Sequence, residues 1–430
     1  MISPHRHAML GAMMRPQPAA IARADAAWLI AALAALTSLS NFHRASLAVI
    51  APELSAELGL DAASLGLANG VFFAALGLMQ VPVGLLFDRV GARATVAGLC
   101  LVTLAGALGH AAARDGAEVI AARFVLGIGS AASFMSAVYL CSRWFGPARL
   151  AGTVGRVFAL SQAGTLLAGT PLAAASAVIG WRGAFLVIAG LTAVVGLAFH
   201  RIVRDDPPGS QPPPRRAESA RAVLAGLGAV LRTRGLLPVL AMHCFAYASA
   251  AVVLTLWAGP YLADVHGLGP IARGNVMLAM SLAQAGGTLL VGPLDLRLNT
   301  RKWIVVPGAC ATLTILAGLA LFPAMPVAHA IALLVLLCGL TTYSVITLSH
   351  GRSLFPDHLA GRGVTTVNIA QVAGAAVLPV VTGGTVARVG GGAVPAPQVA
   401  YGACFGVIAL CLGAGLLVYA LGARDAKPRP

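Results

Sequence analysis

Gly84-Leu85-Leu86-Phe87-Asp88-Arg89-Val90-Gly91-Ala92-Arg93 is a short charged turn between two apolar runs, 64–87 and 95–113, each long enough to cross a bilayer as a helix. A turn this short joins two membrane helices on one side. Its arginines indicate which side, because connectors rich in Lys and Arg stay in the cytoplasm.

The whole chain reads the same way. Of its 430 residues, 58% are hydrophobic and 10% charged, against roughly 45–50% apolar and 25% charged in soluble domains. Mean hydropathy is +0.86. The apolar runs are continuous and rich in Leu, Ala, Val and Gly, without a period of two, which favours helices over a barrel and predicts an all-α integral membrane protein. A net charge of +15 would suggest nucleic acid in a soluble protein. Here the bases are spread through short connectors, so positive-inside topology accounts for them and no nucleic-acid partner is expected. The seven cysteines fall in apolar runs without a CxxC pair and read as small helix residues.

Twelve spans are expected, at 26–51, 64–87, 95–113, 118–142, 150–178 and 182–199, then 235–262, 273–294, 303–322, 328–351, 362–389 and 398–421. Between the sixes lies a polar, proline-rich linker, 201–234, with Asp205-Asp206-Pro207-Pro208 and Pro212-Pro213-Pro214-Arg215-Arg216, which cannot span a membrane. Within it 218–231 is a candidate surface amphipathic helix. The organisation expected is a tail (1–25), a six-helix bundle (26–200), the linker, a second six-helix bundle (235–421) and a tail (422–430). The first tail has no apolar core of signal-peptide length before Trp28. Setting both tails and the linker on one face places most of the 29 basic residues there, as in a multi-pass protein of a bacterial-type inner membrane with both termini cytoplasmic.

The halves repeat. Arg143-Trp144-Phe145-Gly146-Pro147 with Leu150-Ala151-Gly152 matches Arg352-Ser353-Leu354-Phe355-Pro356 with Leu359-Ala360-Gly361 at an offset of 209 residues, and the same offset carries Gln162 onto Gln371. The opening turn has a counterpart at 292–302 that keeps Asp295, Arg297, Arg301 and Lys302 but lacks the second glycine. Two bundles related by an axis along the membrane normal put a solute site between them, near the midplane.

On these features the chain resembles the major facilitator superfamily of secondary transporters, over essentially its whole length. The opening turn is similar to the family's signature loop between helices two and three. Arg123-Phe124-Val125-Leu126-Gly127-Ile128-Gly129 is similar to its fourth-helix motif, and Gly180-Trp181-Arg182-Gly183-Ala184-Phe185 to the start of its sixth helix. Asn41-Phe42-His43-Arg44 resembles the anion:cation symporter and organophosphate branches, whose pattern is Asn-Tyr-Leu-Asp-Arg. In those branches the arginine binds an anionic substrate and a helix-four arginine assists. Two departures stand out: His43 replaces the acid, and Ser130 replaces an acid that often follows the helix-four glycines. The resemblance implies alternating access, gating by Gly84, Asp88, Arg89, Gly91 and Arg93 with Asp295 and Arg297 in the second copy, and a proton as co-substrate.

The residues carry their own argument. Arg44 lies eight residues before Pro52, roughly 12 Å inside the outer end of a helix stopping there. An arginine at a span centre costs about 2.5–3.5 kcal/mol and so faces a polar cavity, unless it snorkels to headgroups. Arg123, about 7 Å deep, reads either way. Together they would form a fork for a carboxylate or phosphate. No carboxylate lies mid-span, which weighs against a proton-driven drug exporter and leaves His43 as proton carrier, though a structural hydrogen bond explains it equally. His43 and Arg44 should point about 100° apart. Gln162, Gln371 and Asn368 are the neutral candidates for the cavity, with Gln80, Gln284, Asn41 and Asn69 behind them as interhelical glue, and Trp257 and Tyr247 as candidate lining. Met242-His243-Cys244 with Met277, Met280 and His350 permits a soft-metal importer, although neighbouring helix residues diverge. A solute sensor on the same scaffold is the remaining alternative. Neither a nucleotide-binding Gly-rich loop nor a catalytic triad pattern is present. The expectation is thus a monomeric, non-enzymatic transporter of a small organic anion, with no cofactor and no metal site.

Overall fold

The computed structural model describes residues 23–208, 228, 230, 232–391 and 397–427. Most of the expected surface helix at 218–231, most of the first tail and the last three residues of the second fall outside the described residues. Within them the chain is helical and no strand occurs.

Twelve helices follow: α1 Arg23–Leu58, α2 Ala62–Arg89, α3 Ala92–Ala112, α4 Gly116–Trp144, α5 at 147–179, α6 at 181–202, α7 Leu236–Asp264, α8 Pro270–Leu298, α9 Lys302–Leu321, α10 Val327–Ser353, α11 Asp357–Gly390 and α12 Pro397–Gly422. α5 and α6 follow one another without a loop. They are divided at Gly180, whose φ of 72° suits only glycine. α2 bends at Met79, and α7 carries a π-helical stretch, Val253–Trp257.

α1 departs most from expectation. Pro52 was expected to end it, yet the helix continues to Leu58. Proline removes the amide that would bond the carbonyl four residues back, here Ala48. Gly259 of α7 closes on that oxygen so tightly that a Cβ at 259 would overlap it. Arg44 is consequently 14 residues from the end of α1, roughly 21 Å deep rather than 12 Å.

The halves meet through glycines. Gly66 and Gly70 of α2 lie against Pro379, Gly383 and Ala376 of α11, and Gly274 of α8 lies against Thr170 in α5. Three polar contacts cross between halves among the described residues. Glu53 on α1 pairs with Arg273 on α8, Thr170 Oγ1 donates to Asn275 Oδ1 at 2.7 Å, and Asn69 Nδ2 donates to Thr255 Oγ1 at 3.1 Å. All lie toward the end that carries the α1–α2 connection.

At the opposite end the opening turn is locked inside its own half. Gly91 has φ 98° and ψ 159°, a conformation that excludes other residues. Arg93 caps in both directions: its amide donates to Asp205 Oδ1 at 2.7 Å, and its Nε to the carbonyl of His200 at the end of α6, also at 2.7 Å. Arg143 Nε bonds Asp206 at 2.7 Å. The second copy repeats the device. Asp425 accepts from Thr300 Oγ1, the amide of Arg301 and the amide of Lys302 at 2.8, 3.0 and 2.9 Å. Lys302 Nζ donates to the carbonyls of Ala420 and Ala423 at 2.7 and 2.8 Å. The glycine missing from this copy is replaced by Asn299, whose φ is 50°, asparagine being among the few residues that tolerate this region. And Asp295 pairs with Arg301 at 3.2 Å, while Arg297 is exposed without an ion pair among the described residues.

Candidate functional site

The polar side chains expected between the halves lie on two helix pairs related by the repeat. Gly164 lets α5 touch the backbone of α1 at Ser38, and Gly374 lets α11 touch α7 at Cys244. Each close approach sets a glutamine beside a polar group of its neighbour. On the first pair, Asn41 Nδ2 donates to the carbonyl and hydroxyl of Ser161 at 3.1 and 3.3 Å, next to Gln162. On the second, the Gln371 amide lies against the imidazole of His243, although neither ring nitrogen makes a well-formed hydrogen bond. Gln162, Asn368, Gln371 and Tyr247 are all half-buried. Because α1 touches α7, α5 touches α8 and α11 touches α2, both pairs border the divide between the halves.

Arg44 follows Asn41 by three residues and so shares its face of α1. It is half-buried. Its Nε is enclosed and makes no hydrogen bond, and among the described residues no carboxylate pairs with it. A guanidinium held at mid-helix without a counter-charge is able to receive an anionic group, which would offset the cost of desolvating it.

Two expected partners of Arg44 are placed elsewhere. Arg123 is wholly enclosed, at 0% exposure. Nη1 donates to the carbonyl of His43 at 2.6 Å, Nη2 to Asn69 Oδ1 at 3.3 Å and Nε to the carbonyl of Ala68 at 3.4 Å. Its guanidinium lies 4.6 Å from the ring centre of Phe72. It neither snorkels nor reaches the divide in this conformation, but ties α4 to α1 and α2. Hydrogen bonds to a charged group, worth about 1.5–3 kcal/mol each, explain why it stays. His43 points away from Arg44 as the helical period requires. It too is 0% exposed, set beside Phe42 and 6.4 Å from the ring of Phe185. That face looks into the first half and not into the divide, so a solute beside Arg44 does not meet it here.

Sequence reasoning missed His110 on α3, a second enclosed histidine 4.2 Å from Phe185, with both ring nitrogens unbonded. A lone histidine in an apolar run was its only signal. Asn69 takes the interhelical role expected of it: it joins Arg123 to Thr255, and so one half to the other. Of the proposed gating residues, Asp88 is half-buried with no ion pair among the described residues, and Gly84 has only Met135 Cε within reach of a Cβ, at 3.5 Å. His350 Nδ1 is 2.7 Å from Tyr419 Oη, and no group of three or more His, Cys, Asp or Glu clusters among the described residues.

Comparison with known proteins agrees with this architecture. A quinolone resistance transporter of Acinetobacter baumannii is 30% identical over 174 residues, 39% of this chain and 40% of that protein. A putative tartrate transporter of Agrobacterium vitis is 24% identical over 291 residues, 62% of this chain and 65% of that one. The chain therefore spans less than two thirds of these relatives' lengths. In fold it matches the crystal structure of a bacterial homologue of the human lysosomal transporter Spinster, in an inward-facing, unoccupied conformation. The TM-score is 0.75 at 16% identity, covering 93% of this chain and 97% of that one. A sequence model of the Major Facilitator Superfamily matches residues 30–379, and with twelve helices in two repeat-related halves the chain belongs to that superfamily.

Proposed function

We propose that the protein is a secondary transporter that moves a small organic anion across the cytoplasmic membrane by alternating access. The two bundles, 26–200 and 235–421, rock about a site between them, with both termini cytoplasmic. A monomer contains every part of this machinery. The observation that carries the reading is Arg44: a mid-helix guanidinium with an enclosed, unbonded Nε and no acid paired with it. Gln162 on one half and Asn368 and Gln371 on the other supply neutral contacts to the solute. Arg123 holds α1 in register through the His43 carbonyl rather than touching the solute in this conformation. The naming of a relative for tartrate favours a hydroxy-carboxylate, and a proton is the natural co-substrate for accumulating one.

The test is uptake of tartrate and a panel of sugar acids, monocarboxylates and phosphates into liposomes holding the purified protein. Truncating one side of a desolvated charge pair costs roughly 2–5 kcal/mol. Arg44→Ala should therefore raise KM by about 30-fold or more, and Arg44→Lys should recover only part because it lacks the bidentate fork. Wild-type affinity in Arg44→Ala would sink the anion assignment. Binding without flux in the wild type would favour a sensor. The relative named for quinolone resistance supports a second reading, drug efflux, which predicts outward movement of quinolones with the panel of acids unmoved.

A further inference from the structure

We infer that Glu53 is a proton-binding site that controls the gate at the α1–α2 end: a proton on its carboxylate releases Arg273 and opens that end. Glu53 sits one residue past Pro52, on the stretch of α1 that expectation had left outside the helix. Among the described residues its pair with Arg273 is the one ion pair that crosses between halves. Arg273 is only 4% exposed, its Nη2 donates to Glu53 Oε1, and its Nε has no partner. Glu53 Oε2 is likewise enclosed and unbonded. Each ion thus has one counterpart and no substitute.

That arrangement makes the closed end sensitive to a single proton. Protonated at Oε2, Glu53 becomes neutral and leaves Arg273 enclosed without a counter-charge, a state that buried ions avoid. Separating the halves puts Arg273 into water. Protonation therefore favours the open end, and closure expels the proton. Glu57, one turn further, provides the contrast. It accepts from Trp181 Nε1 at 2.5 Å and pairs with Arg182 at 3.0 Å, all inside one half, so protonating it leaves the gate alone. The other titratable or charged groups that the packed elements bring to this end include Asp61 at the start of α2, Asp115 and Glu118 at the start of α4, Arg388 in the last turn of α11, Asp264 on α7 and His266 just after it. Asp61 caps Ser64 and Asp264 accepts from Tyr401 Oη at 2.6 Å. None is a second partner for Glu53 or Arg273 among the described residues.

The inference rests on the transporter reading only for the statement that the outer solution supplies the proton; the gate itself can be measured without substrate. Ala117 and Ala324 are exposed at this end, one in each half. Spin labels at Ala117→Cys and Ala324→Cys, on a background whose native cysteines are replaced, report the gap. As pH falls from about 7 to about 4, into the range where carboxylates take up their proton, the long-distance population should grow, by at most tenfold per unit for one linked proton. Glu53→Gln should be long at both pH values. Glu53→Asp and Glu57→Gln should keep the wild-type response. If Glu53→Gln does not fold, Arg273→Gln should also abolish the response. A wild-type distance that ignores pH, or a Glu53→Gln protein that still responds, overturns the inference. Failure of the transport reading shows separately, as absent flux with label distances that still respond.

Discussion

The two ends of the molecule use their charges in opposite ways. At the α1–α2 end, Glu53, Asn69 and Thr170 reach across to the other half, and glycines bring backbones together over the same region. At the other end, Arg93, Arg143, Asp295, Lys302 and Asp425 are all satisfied within their own half. A transporter that rocks must trade such contacts between its ends. The asymmetry is that of a conformation closed at the α1–α2 end and, among the described residues, without a polar contact across the halves at the other.

Overpacking the closed end should break this contrast most strongly. A Cβ at Gly259 overlaps the Ala48 carbonyl, and backbone cannot step aside as a side chain can. At about 1–3 kcal/mol for overpacking, Gly259→Val should lower the closed population by roughly 5- to 150-fold, read from the same label pair at 117 and 324. A gap that stays short would show that this contact does not hold the end closed. Gly84→Ala at the other end meets one methyl group at 3.5 Å and should change nothing. Next is Asn69→Ala, which strands Arg123 Nη2 and Thr255 Oγ1. Leaving buried groups unsatisfied costs about 1–3 kcal/mol, so both the melting temperature and the closed population should fall, by less than in Gly259→Val.

A smaller effect separates the ends by pH. Burial pushes the Asp425 carboxyl up, but the amide of Lys302, the hydroxyl of Thr300 and the amide of Arg301 outweigh it and hold the group below the ordinary carboxylate range. A lowered folded-state value means that its stabilisation is present at neutral pH and is lost as pH falls through the acid range. Because the residue is exposed, solvent screening leaves a few tenths of a kcal/mol. Asp425→Asn should flatten the acid side of the melting curve slightly and leave the gap between labels at 117 and 324 untouched. A changed gap would mean that this cap communicates with the far end.

What sequence could and could not deliver follows from the range of each interaction. Span count, the break at Gly180 and the repeat were legible because apolar length and local motif encode them. The end of α1 was misread because a proline interrupts only one hydrogen bond, and its consequence depends on Gly259, some two hundred residues away. Asn299 in place of a glycine was legible in principle, since asparagine shares the positive-φ region. The caps at Asp205 and Asp425 were not, because nothing local marks a carboxylate that serves a helix more than a hundred residues earlier. At the proposed site, residue types pointed to a guanidinium and three amides. Which arginine stays unpaired depended on neighbours: Asn69, Ala68 and the His43 carbonyl consume Arg123, and nothing comparable meets Arg44.

The two copies of the turn give the finest test. From motif quality alone, Asp88→Asn should slow transport more than Asp295→Asn. The structure separates speed from stability. Asp295 is buried and paired with Arg301 at 3.2 Å, so its loss acts on this conformation, by about 1 kcal/mol for a partly buried pair. Asp88 has no ion pair among the described residues, so Asp88→Asn should leave the melting temperature within the range of a neutral surface change, about 0.5 kcal/mol. Its partners would be met only when the turn end closes, and its effect should therefore fall on the rate of that step. Stopped-flow fluorescence of liposome uptake beside thermal unfolding would read both quantities. Equal melting losses in the two variants would show that Asp88 is already engaged here, and the turn end would then be less released than its contacts indicate.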